Sequence, residues 1–326
     1  MLKASQTACF VIADISGYTR YLTGVELDHA QDIIADVINT LADGLRPPFR
    51  IAKVEGDAVF FYSVTERIDG SQLQDAIETA YFAFRRRLRS VGLASTCECN
   101  ACRHMQDLDL KFVVHCGQFI AHNLAGSQEL TGSDVILVHR LLKNSVSDAL
   151  GRHAYALYTN AAIEAMDSHP ASQSLIEHHE DIDAIGDVQC WIGDLELAWE
   201  KEEAHASRAV TPELAAMTLE FDIDAPRQTV WDYFTLPDLR PKWRAADEVR
   251  ETPVDDRRGV GTVNHCMHGK DVLIEEILDW HPTDHLTLTT LLPVPNSPKI
   301  LMTYVFTENK YIFIIFKFSI RKSETS

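Results

Sequence analysis

The chain has 326 residues, with 48 acidic and 30 basic side chains and a formal net charge of −18. This length is sufficient for two domains with separate cores, and the acidity argues against nucleic acid or an anionic membrane as a partner, because both attract clustered Lys and Arg. Residues 1–16 are too briefly apolar for a signal peptide or a membrane span. The seven cysteines fit reduced thiols better than a disulfide framework, so we predict a soluble, cytoplasmic protein.

Two short stretches each place an acid beside an apolar segment. Residues 9–18, CFVIADISGY, predict a buried strand that ends at Asp14 and then turns at Ser-Gly. Residues 53–62, KVEGDAVFFY, predict a hairpin with Asp57 at its tip. If the hairpin pairs beside the first strand, the two carboxylates meet and provide the oxygen ligands that Mg²⁺ prefers. The alternative is two unrelated acids that cap separate turns.

The other elements of the N-terminal half follow from apolar periodicity. Helices are predicted at 25–45, 73–91 and 133–143, and strands at 49–54, 58–61 and 110–116, the last with an extension to 121. Residues 185–198 are predicted to close the domain as a hairpin that turns at Gly193-Asp194. The order is strand-helix-strand-strand-helix-strand, which indicates an α+β fold, a ferredoxin-like βαββαβ sandwich of one sheet and two covering helices.

Residues 8–197 resemble the class III nucleotidyl cyclases at four places. Members of that family carry an Asp-Ile-x-Gly-Phe-Thr strand end, a Lys-x-x-Gly-Asp hairpin, a His-x-Gly strand and a Gly-led helix that ends in a catalytic arginine. The corresponding stretches here are DISGYT at 14–19, KVEGD at 53–57, HCG at 115–117 and GSDVILVHR at 132–140. They occur in the family's order and at compatible separations, so together they make the resemblance specific.

The resemblance implies a site that converts ATP to cyclic AMP and pyrophosphate. Asp14, Asp57 and the backbone carbonyl of Ile15 would hold two Mg²⁺ or Mn²⁺ ions per site on the triphosphate. Arg140 would be the catalytic residue that stabilises the transition state, since its planar, permanent charge suits phosphoryl oxygens. The family forms this site between two protomers, so a homodimer with two equivalent sites is implied.

The same resemblance implies a set of substrate-binding residues. Backbone amides of Ser16, Gly17 and Tyr18, at a helix start, would hold phosphate oxygens of the nucleoside triphosphate. Lys53 and Glu129 fall where adenylyl cyclases read the base, with the lysine facing the purine N1 and the acid facing the exocyclic amine. This pairing favours adenine over guanine.

One position departs from the family's pattern. Active members usually carry an asparagine four residues before the arginine to orient the ribose, and this chain has Ile136 there. Isoleucine forms no side-chain hydrogen bond, and orientation supplies much of the catalysis in such reactions. Two hypotheses therefore stand. The protein is an active adenylyl cyclase-like enzyme, or it is a catalytically degenerate cyclase fold that binds nucleotide or regulates in response to a ligand.

A cysteine-rich loop lies between the second predicted helix and the strand at 110–116. Three thiols and an imidazole occur within eight positions, and these are Cys97, Cys99, Cys102 and His104. Such a set suits a structural Zn²⁺ ion, because four protein ligands leave no open position for catalytic water. The alternative is a solvent-exposed loop with reduced thiols.

The apolar periodicity of the sequence stops after residue 200. Residues 201–213 are charged and without periodicity, which predicts a linker between a cyclase-like domain at 1–200 and a second domain at 214–326. The second domain resembles the START-like (SRPBCC) helix-grip proteins, on the stretches DAP at 224–226, VW at 230–231, LP at 236–237 and GVGT at 259–262. The resemblance implies a sheet curled around a long C-terminal helix, with a cavity for an apolar small ligand.

The end of the chain departs from that helix-grip pattern. From Asn309 the sequence is rich in Ile, Phe and Lys, and no long helix is predicted there. The domain is therefore expected to lack the C-terminal helix and to expose an apolar sheet surface. The alternative to a ligand cavity is an interior filled by the domain's own side chains.

Overall fold

A computed structural model describes residues 4–94, 99–124, 126–167, 169–170, 174–205, 207–294, 299–307 and 311–319. The chain divides into two units, Met1–Ala204 and His205–Ser326. Each unit has its own sheet. In the part of the chain that is described, no helix has both the length and the apolar character needed to cross a membrane.

The first unit alternates short groups of strands and helices. It begins with β1 (Gln6–Ser16), α1 (Tyr18–Thr23), α2 (Leu27–Leu45), β2 (Arg50–Glu55), β3 (Ala58–Val64), α3 (Gly70–Ala94) and α4 (Asn100–His104). It continues with β4 (Asp109–Leu124), β5 (Ser127–Thr131), α5 (Ser133–Arg140), α6 (Val146–Leu150) and β6 (Tyr155–Thr159). It ends with α7 (Asn160–Met166), β7 (Ile176–Ile182), β8 (Gly186–Asp194) and α8 (Leu195–Ala204).

These strands form one large mixed sheet. Its order is β2-β3-β1-β4-β6-β8-β7, and β5 pairs with the end of β4. The β4–β6 pairing is parallel, whereas β1 is antiparallel to both of its neighbours. The α+β class predicted from the sequence is therefore correct at the level of a mixed sheet covered by helices.

Strand β1 is apolar along its length because both faces of the sheet are covered. Alternate residues Cys9, Val11 and Ala13 belong to the core that contains α2 and α3. The residues between them, including Phe10 and Ile12, belong to the core that contains α5. A strand buried on both sides shows a continuous apolar run rather than alternation. Asp14 comes at the end of that run, where burial becomes partial.

The predicted hairpin at the end of the first unit is wrong. Residues Gly186–Asp194 form one uninterrupted strand, in which Gly193 pairs with Ala156 of β6. The turn lies earlier, at Ala184, whose φ of 66° is left-handed. Helix α8 extends to Ala204, four residues into the predicted linker. Two ion pairs join it to α3, Arg86–Glu202 at 2.6 Å and Arg89–Glu203 at 2.5 Å.

The second unit is an antiparallel sheet with one well-defined helix against it. Its elements are β9 (Met217–Asp222), α9 (Arg227–Thr235), β10 (Glu248–Thr252), β11 (Val263–His268), β12 (Asp271–His281), β13 (His285–Leu291), β14 (Lys299–Phe306) and β15 (Tyr311–Ser319). The sheet order is β10-β11-β12-β13-β14-β15-β9. Trp231 and Phe234 of α9 pack on Leu286, Tyr304 and Phe306 of the sheet.

Part of the apolar surface of this sheet is uncovered. The strand β9 is exposed at every residue, and its large apolar side chains Met217, Leu219 and Phe221 are each between 39% and 47% exposed. In the described part of the chain, the residues that follow Thr307 form strand β15 rather than a helix. The exposure agrees with the expectation of an open sheet, while the START-like assignment remains a prediction.

Candidate active site

The structure brings Asp14 and Asp57 to one end of the central strands. Strand β3 pairs antiparallel with β1, so Asp14 lies opposite Ala58, the residue that follows Asp57. The amide of Ile15 donates a hydrogen bond to the Asp57 carbonyl at 3.1 Å, which fixes the turn beside the strand end. Gly56 has a φ of 65°, a left-handed value that favours glycine at the tip. The hairpin beside the first strand, predicted from the sequence, is confirmed.

Burial and nearby charges act on the Asp57 carboxyl. Burial raises the pKa of the Asp57 carboxyl above its ordinary value, and a backbone hydrogen bond opposes this rise. The negative charge of Asp14 raises the pKa of Asp57 further, whereas Lys111 lowers it. A partly desolvated carboxylate beside a second acid is a position that favours a divalent cation.

Lys111 is a member of this site that the sequence motifs do not include. It lies directly across from Asp14 in the β1–β4 register. Its Nζ is 3.1 Å from Asp14 Oδ2, with both side chains less than 20% exposed, and it also donates to the Leu142 carbonyl at 3.0 Å. A lysine therefore supplies counter-charge at one of the two carboxylates. In the sequence it is far from both acids, and only the long-range strand register reveals it.

The residues expected to hold phosphate follow Asp14 at the start of α1. Ser16 is the last residue of β1, and Gly17 precedes the helix with a φ of 86°. A Cβ at Gly17 would lie 3.3 Å from the Asp107 carbonyl, so both the conformation and the close approach favour glycine. The Gly17 carbonyl accepts the Tyr21 amide at 2.9 Å, and Tyr18 opens the helix. The backbone amides of Ser16, Gly17 and Tyr18 thus follow Asp14 closely along the chain.

Lys53 and Glu129 lie near each other on a different part of the unit. Lys53 is on β2, and Glu129 is on β5, where it pairs with His122 of β4. The negative charges of Glu55, first, and of Glu129 raise the pKa of Lys53. Lys53 Nζ is 2.9 Å from Glu55 Oε1, so the lysine already has an acidic partner that the sequence motifs do not indicate. An incoming base would have to compete with that ion pair.

Helix α5 presents Ile136 and Arg140 on its outer face. Val135 and Val138 face the core, whereas Ile136 is 55% exposed and Arg140, one turn later, is also exposed. Arg140 Nη1 donates to the Asp183 carbonyl at 2.8 Å, in the turn between β7 and β8. The helix that the sequence predicts at 133–143 is observed over Ser133–Arg140. Both side chains therefore lie at the surface of this unit.

The His-x-Gly stretch in β4 docks the start of α5. A Cβ at Gly117 would lie 2.4 Å from the Asp134 side chain, so only glycine allows this approach. Asp134 Oδ2 accepts the Gln118 amide at 2.6 Å. The neighbouring His115 is buried and bonded through Nδ1 to Thr159 Oγ1 at 2.8 Å, and burial lowers the pKa of His115. This motif therefore positions the arginine-bearing helix.

The cysteine loop does not assemble in the described residues as a metal site. Cys97 lies outside them, Cys99 precedes α4, and Cys102 lies within α4. His104 Nδ1 is paired with Asp107 Oδ2 at 3.0 Å. Among the described residues, a group of three His, Cys, Asp or Glu ligand atoms within 4.8 Å of one another occurs at His205, Asp279 and His281 instead. Zinc in the cysteine loop stays a prediction.

This chain is similar in sequence to proteins whose activity is not described, and similar in structure to cyclases. A family model described as a protein of unknown function (DUF2652) matches residues 34–149. The uncharacterized protein Rv2561/Rv2562 of Mycobacterium tuberculosis is 28% identical over 162 residues, which are 50% of this chain and 73% of that protein. The guanylyl cyclase Cya2 aligns with 59% of this chain and 93% of its own, at 13% identity and a TM-score of 0.44. The adenylyl cyclase CyaB from P. aeruginosa aligns with 60% of this chain and 97% of its own, at 14% identity and a TM-score of 0.42.

Proposed function

We propose that the first unit is a nucleotidyl cyclase-like enzyme that converts ATP to cyclic AMP and pyrophosphate. The observation that carries the proposal is the position of Asp14 at the end of β1 and of Asp57 just before the neighbouring strand β3, where the charge of Asp14 acts on the Asp57 carboxyl. Four sequence stretches in the family's order support it. The active form is a homodimer, with the acids from one protomer and Arg140 from the other.

The acid pair fits a hard divalent cation by its chemistry. Asp14 and Asp57 provide carboxylate oxygens, and the Ile15 carbonyl provides a third oxygen of the kind that Mg²⁺ and Mn²⁺ prefer. When bound, two such ions supply activation of the ribose 3′-hydroxyl and neutralise charge that develops on the phosphates. Lys111 supplies part of this neutralisation beforehand, because its Nζ lies 3.1 Å from Asp14 Oδ2.

The chain's own groups bind and orient the nucleotide. The amides of Ser16, Gly17 and Tyr18 hold phosphate oxygens, as backbone donors at a turn can. Lys53 and Glu129 bind the two hydrogen-bonding edges of adenine after the Lys53–Glu55 pair opens. Arg140 exchanges its bond to the neutral Asp183 carbonyl for a bond to an anionic phosphoryl oxygen, in which both partners are charged.

A product assay tests this function. Purified protein is incubated with ATP or GTP and Mn²⁺, and cyclic nucleotide is measured by mass spectrometry. We expect cyclic AMP above the level produced by the Asp14→Ala, Asp57→Ala double variant. Product at the level of that variant, from protein that is folded, would exclude the enzyme.

A degenerate nucleotide-binding protein is the second candidate, and Ile136 favours it. This exposed isoleucine stands where a ribose hydrogen-bonding group is expected. A protein of this class would bind ATP in the presence of Mn²⁺ without forming product. Equilibrium binding of radiolabelled ATP, measured beside the product assay, separates the two candidates.

Removing the Lys111 charge is expected to strengthen metal binding. Lys111→Met keeps the length of the side chain but removes the cation beside Asp14 Oδ2. We expect Mn²⁺ to bind about fivefold more tightly in calorimetric titration without nucleotide, because the lysine no longer competes with the ion for Asp14; this factor corresponds to about 1 kcal/mol. Lys143→Met, at an exposed position, is the matched control. Weaker or unchanged Mn²⁺ binding in Lys111→Met would place the metal elsewhere.

Restoring a hydrogen-bonding group at Ile136 is expected to raise turnover. Asparagine is of similar size, and the position is 55% exposed on the Arg140 face, so the change has little steric cost. We expect Ile136→Asn to increase kcat about tenfold, which is about 1.4 kcal/mol of barrier. Adding Arg140→Ala should abolish the gain if both residues act on one transition state. A flat kcat in a folded, dimeric variant would contradict the placement of the ribose.

A further inference from the structure

Three histidines surround one aspartate in the second unit. Asp279 is fully buried near the end of β12, just after a register shift in its pairing with β13. His281 is two residues further along the same strand and pairs with His285, which opens β13. His205 is 74 residues away in sequence, yet its Nε2 lies 3.0 Å from Asp279 Oδ1. Local sequence therefore gives no sign that these side chains meet.

The two oxygens of Asp279 have different surroundings. Oδ2 accepts the Arg208 amide at 2.6 Å and the Ser207 hydroxyl at 2.8 Å, so the chain fixes this oxygen. Oδ1 lies 3.0 Å from His205 Nε2 and 3.0 Å from His281 Nε2. One carboxylate oxygen is thus oriented by backbone and hydroxyl donors, while the other faces two imidazole nitrogens.

His285 completes the surroundings of the carboxylate. Its Nε2 is 3.4 Å from Asp279 Oδ2, and its Nδ1 is 2.9 Å from Asp284 Oδ2. Its ring stacks on His281 with centroids 4.2 Å apart. A carboxylate on the far nitrogen of an imidazole is the arrangement that orients histidines around metal ions. His285 is therefore placed either to orient residues that bind a metal ion or to bind the ion itself.

We propose that His205, Asp279 and His281 bind a divalent transition-metal ion of the Zn²⁺ class. The three ligand atoms lie within 4.8 Å of one another. Two imidazole nitrogens and one carboxylate oxygen suit Zn²⁺, Co²⁺ and Ni²⁺, whereas Mg²⁺ prefers oxygen ligands alone. The full burial of Asp279 favours a bound cation, because a desolvated carboxylate is costly unless nearby groups compensate its charge.

The proposed site would attach His205 to the β12–β13 hairpin. His205 comes before β9, while Asp279 and His281 belong to the hairpin. Metal binding would thus stabilise the second unit, because a ligand that binds only the folded state shifts unfolding to higher temperature. This role is independent of the nucleotide chemistry proposed for the first unit.

Titration of the full-length protein with Co²⁺ tests the site. Excess Mg²⁺ is kept present to occupy oxygen-rich sites, and the Co²⁺ d–d absorption is followed. We expect saturation at one equivalent, no thiolate-to-cobalt charge-transfer band in the near ultraviolet, and a rise in melting temperature. His205→Ala and His281→Ala should each weaken Co²⁺ binding at least tenfold, while His153→Ala, at an exposed position in the first unit, should not.

The outcomes separate this site from its alternatives. A charge-transfer band that disappears in Cys99→Ser, Cys102→Ser would place the ion in the cysteine loop and overturn the proposal. Absence of Co²⁺ binding would show that the histidines only donate hydrogen bonds to Asp279. The deciding measurement uses His205→Gln, because the His205 side chain is 33% exposed, whereas His281 is largely buried and its substitution perturbs packing.

Discussion

Asp57→Asn is expected to lower the rate of cyclic AMP formation about a thousandfold, and Asp14→Asn by a similar factor. Asparagine keeps the size and one oxygen of the side chain but removes the negative charge that holds the cation. Preorganised charge at the reacting phosphates supplies much of the catalysis, and loss of a single stabilising group costs about 100- to 1,000-fold. The measurement is the initial rate of product formation over a range of Mn²⁺ concentrations.

The metal dependence distinguishes these variants from misfolded protein. Both should require more Mn²⁺ for half-maximal rate, while their unfolding in urea stays cooperative. Asp43→Asn is the matched control, because this acid pairs with Arg46 on the exposed side of α2. Wild-type rates in Asp14→Asn and Asp57→Asn would show that these acids do not hold the metal.

Exchanging the base-reading pair is expected to change the choice of nucleotide. In Lys53→Glu with Glu129→Cys, the donor for adenine N1 and the acceptor for its amine are both lost. Each polar edge left unpaired costs about 1–3 kcal/mol, so the ratio of kcat/KM for ATP to that for GTP should fall at least tenfold. Steady-state rates with both nucleotides give this ratio.

Glu55 offers a control for this experiment. It holds Lys53 Nζ at 2.9 Å, so Glu55→Gln frees the lysine without removing either base-reading group. We expect the preference for ATP to be kept or increased in that variant. An unchanged ratio in an active Lys53→Glu, Glu129→Cys protein would mean that the base binds elsewhere.

The part of the fold that the sequence predicts well is the part that local pattern determines. The apolar run of β1 predicts a strand and the Gly-Asp tip predicts a hairpin. The structure pairs them, so that Asp14 at the end of β1 and Asp57 just before β3 lie at one end of the sheet. The amphipathic helices at 25–45 and 73–91 are observed as Leu27–Leu45 and Gly70–Ala94. Their apolar faces meet closely, since a Cβ on Gly44 would lie 3.2 Å from Ala80.

The features that the sequence misses depend on contacts between distant residues. Lys111 reaches Asp14 only through the β1–β4 register. The acidic strand β7 has no apolar alternation, so the sequence pattern predicts a turn at Gly193-Asp194, whereas the chain turns at Ala184. His205 joins Asp279 from a segment that looks like a featureless linker. In each case tertiary pairing, not local propensity, decides the outcome.

If two protomers share one catalytic site, two inactive variants should complement each other when they are mixed. One variant carries Asp14→Ala and Asp57→Ala, and the other carries Arg140→Ala. Each alone should form almost no cyclic AMP. After equal amounts are mixed and allowed to exchange subunits, half of the dimers carry one intact site, so about a quarter of wild-type activity should return. Activity no greater than the sum of the separate variants, with subunit exchange demonstrated, would contradict a shared site.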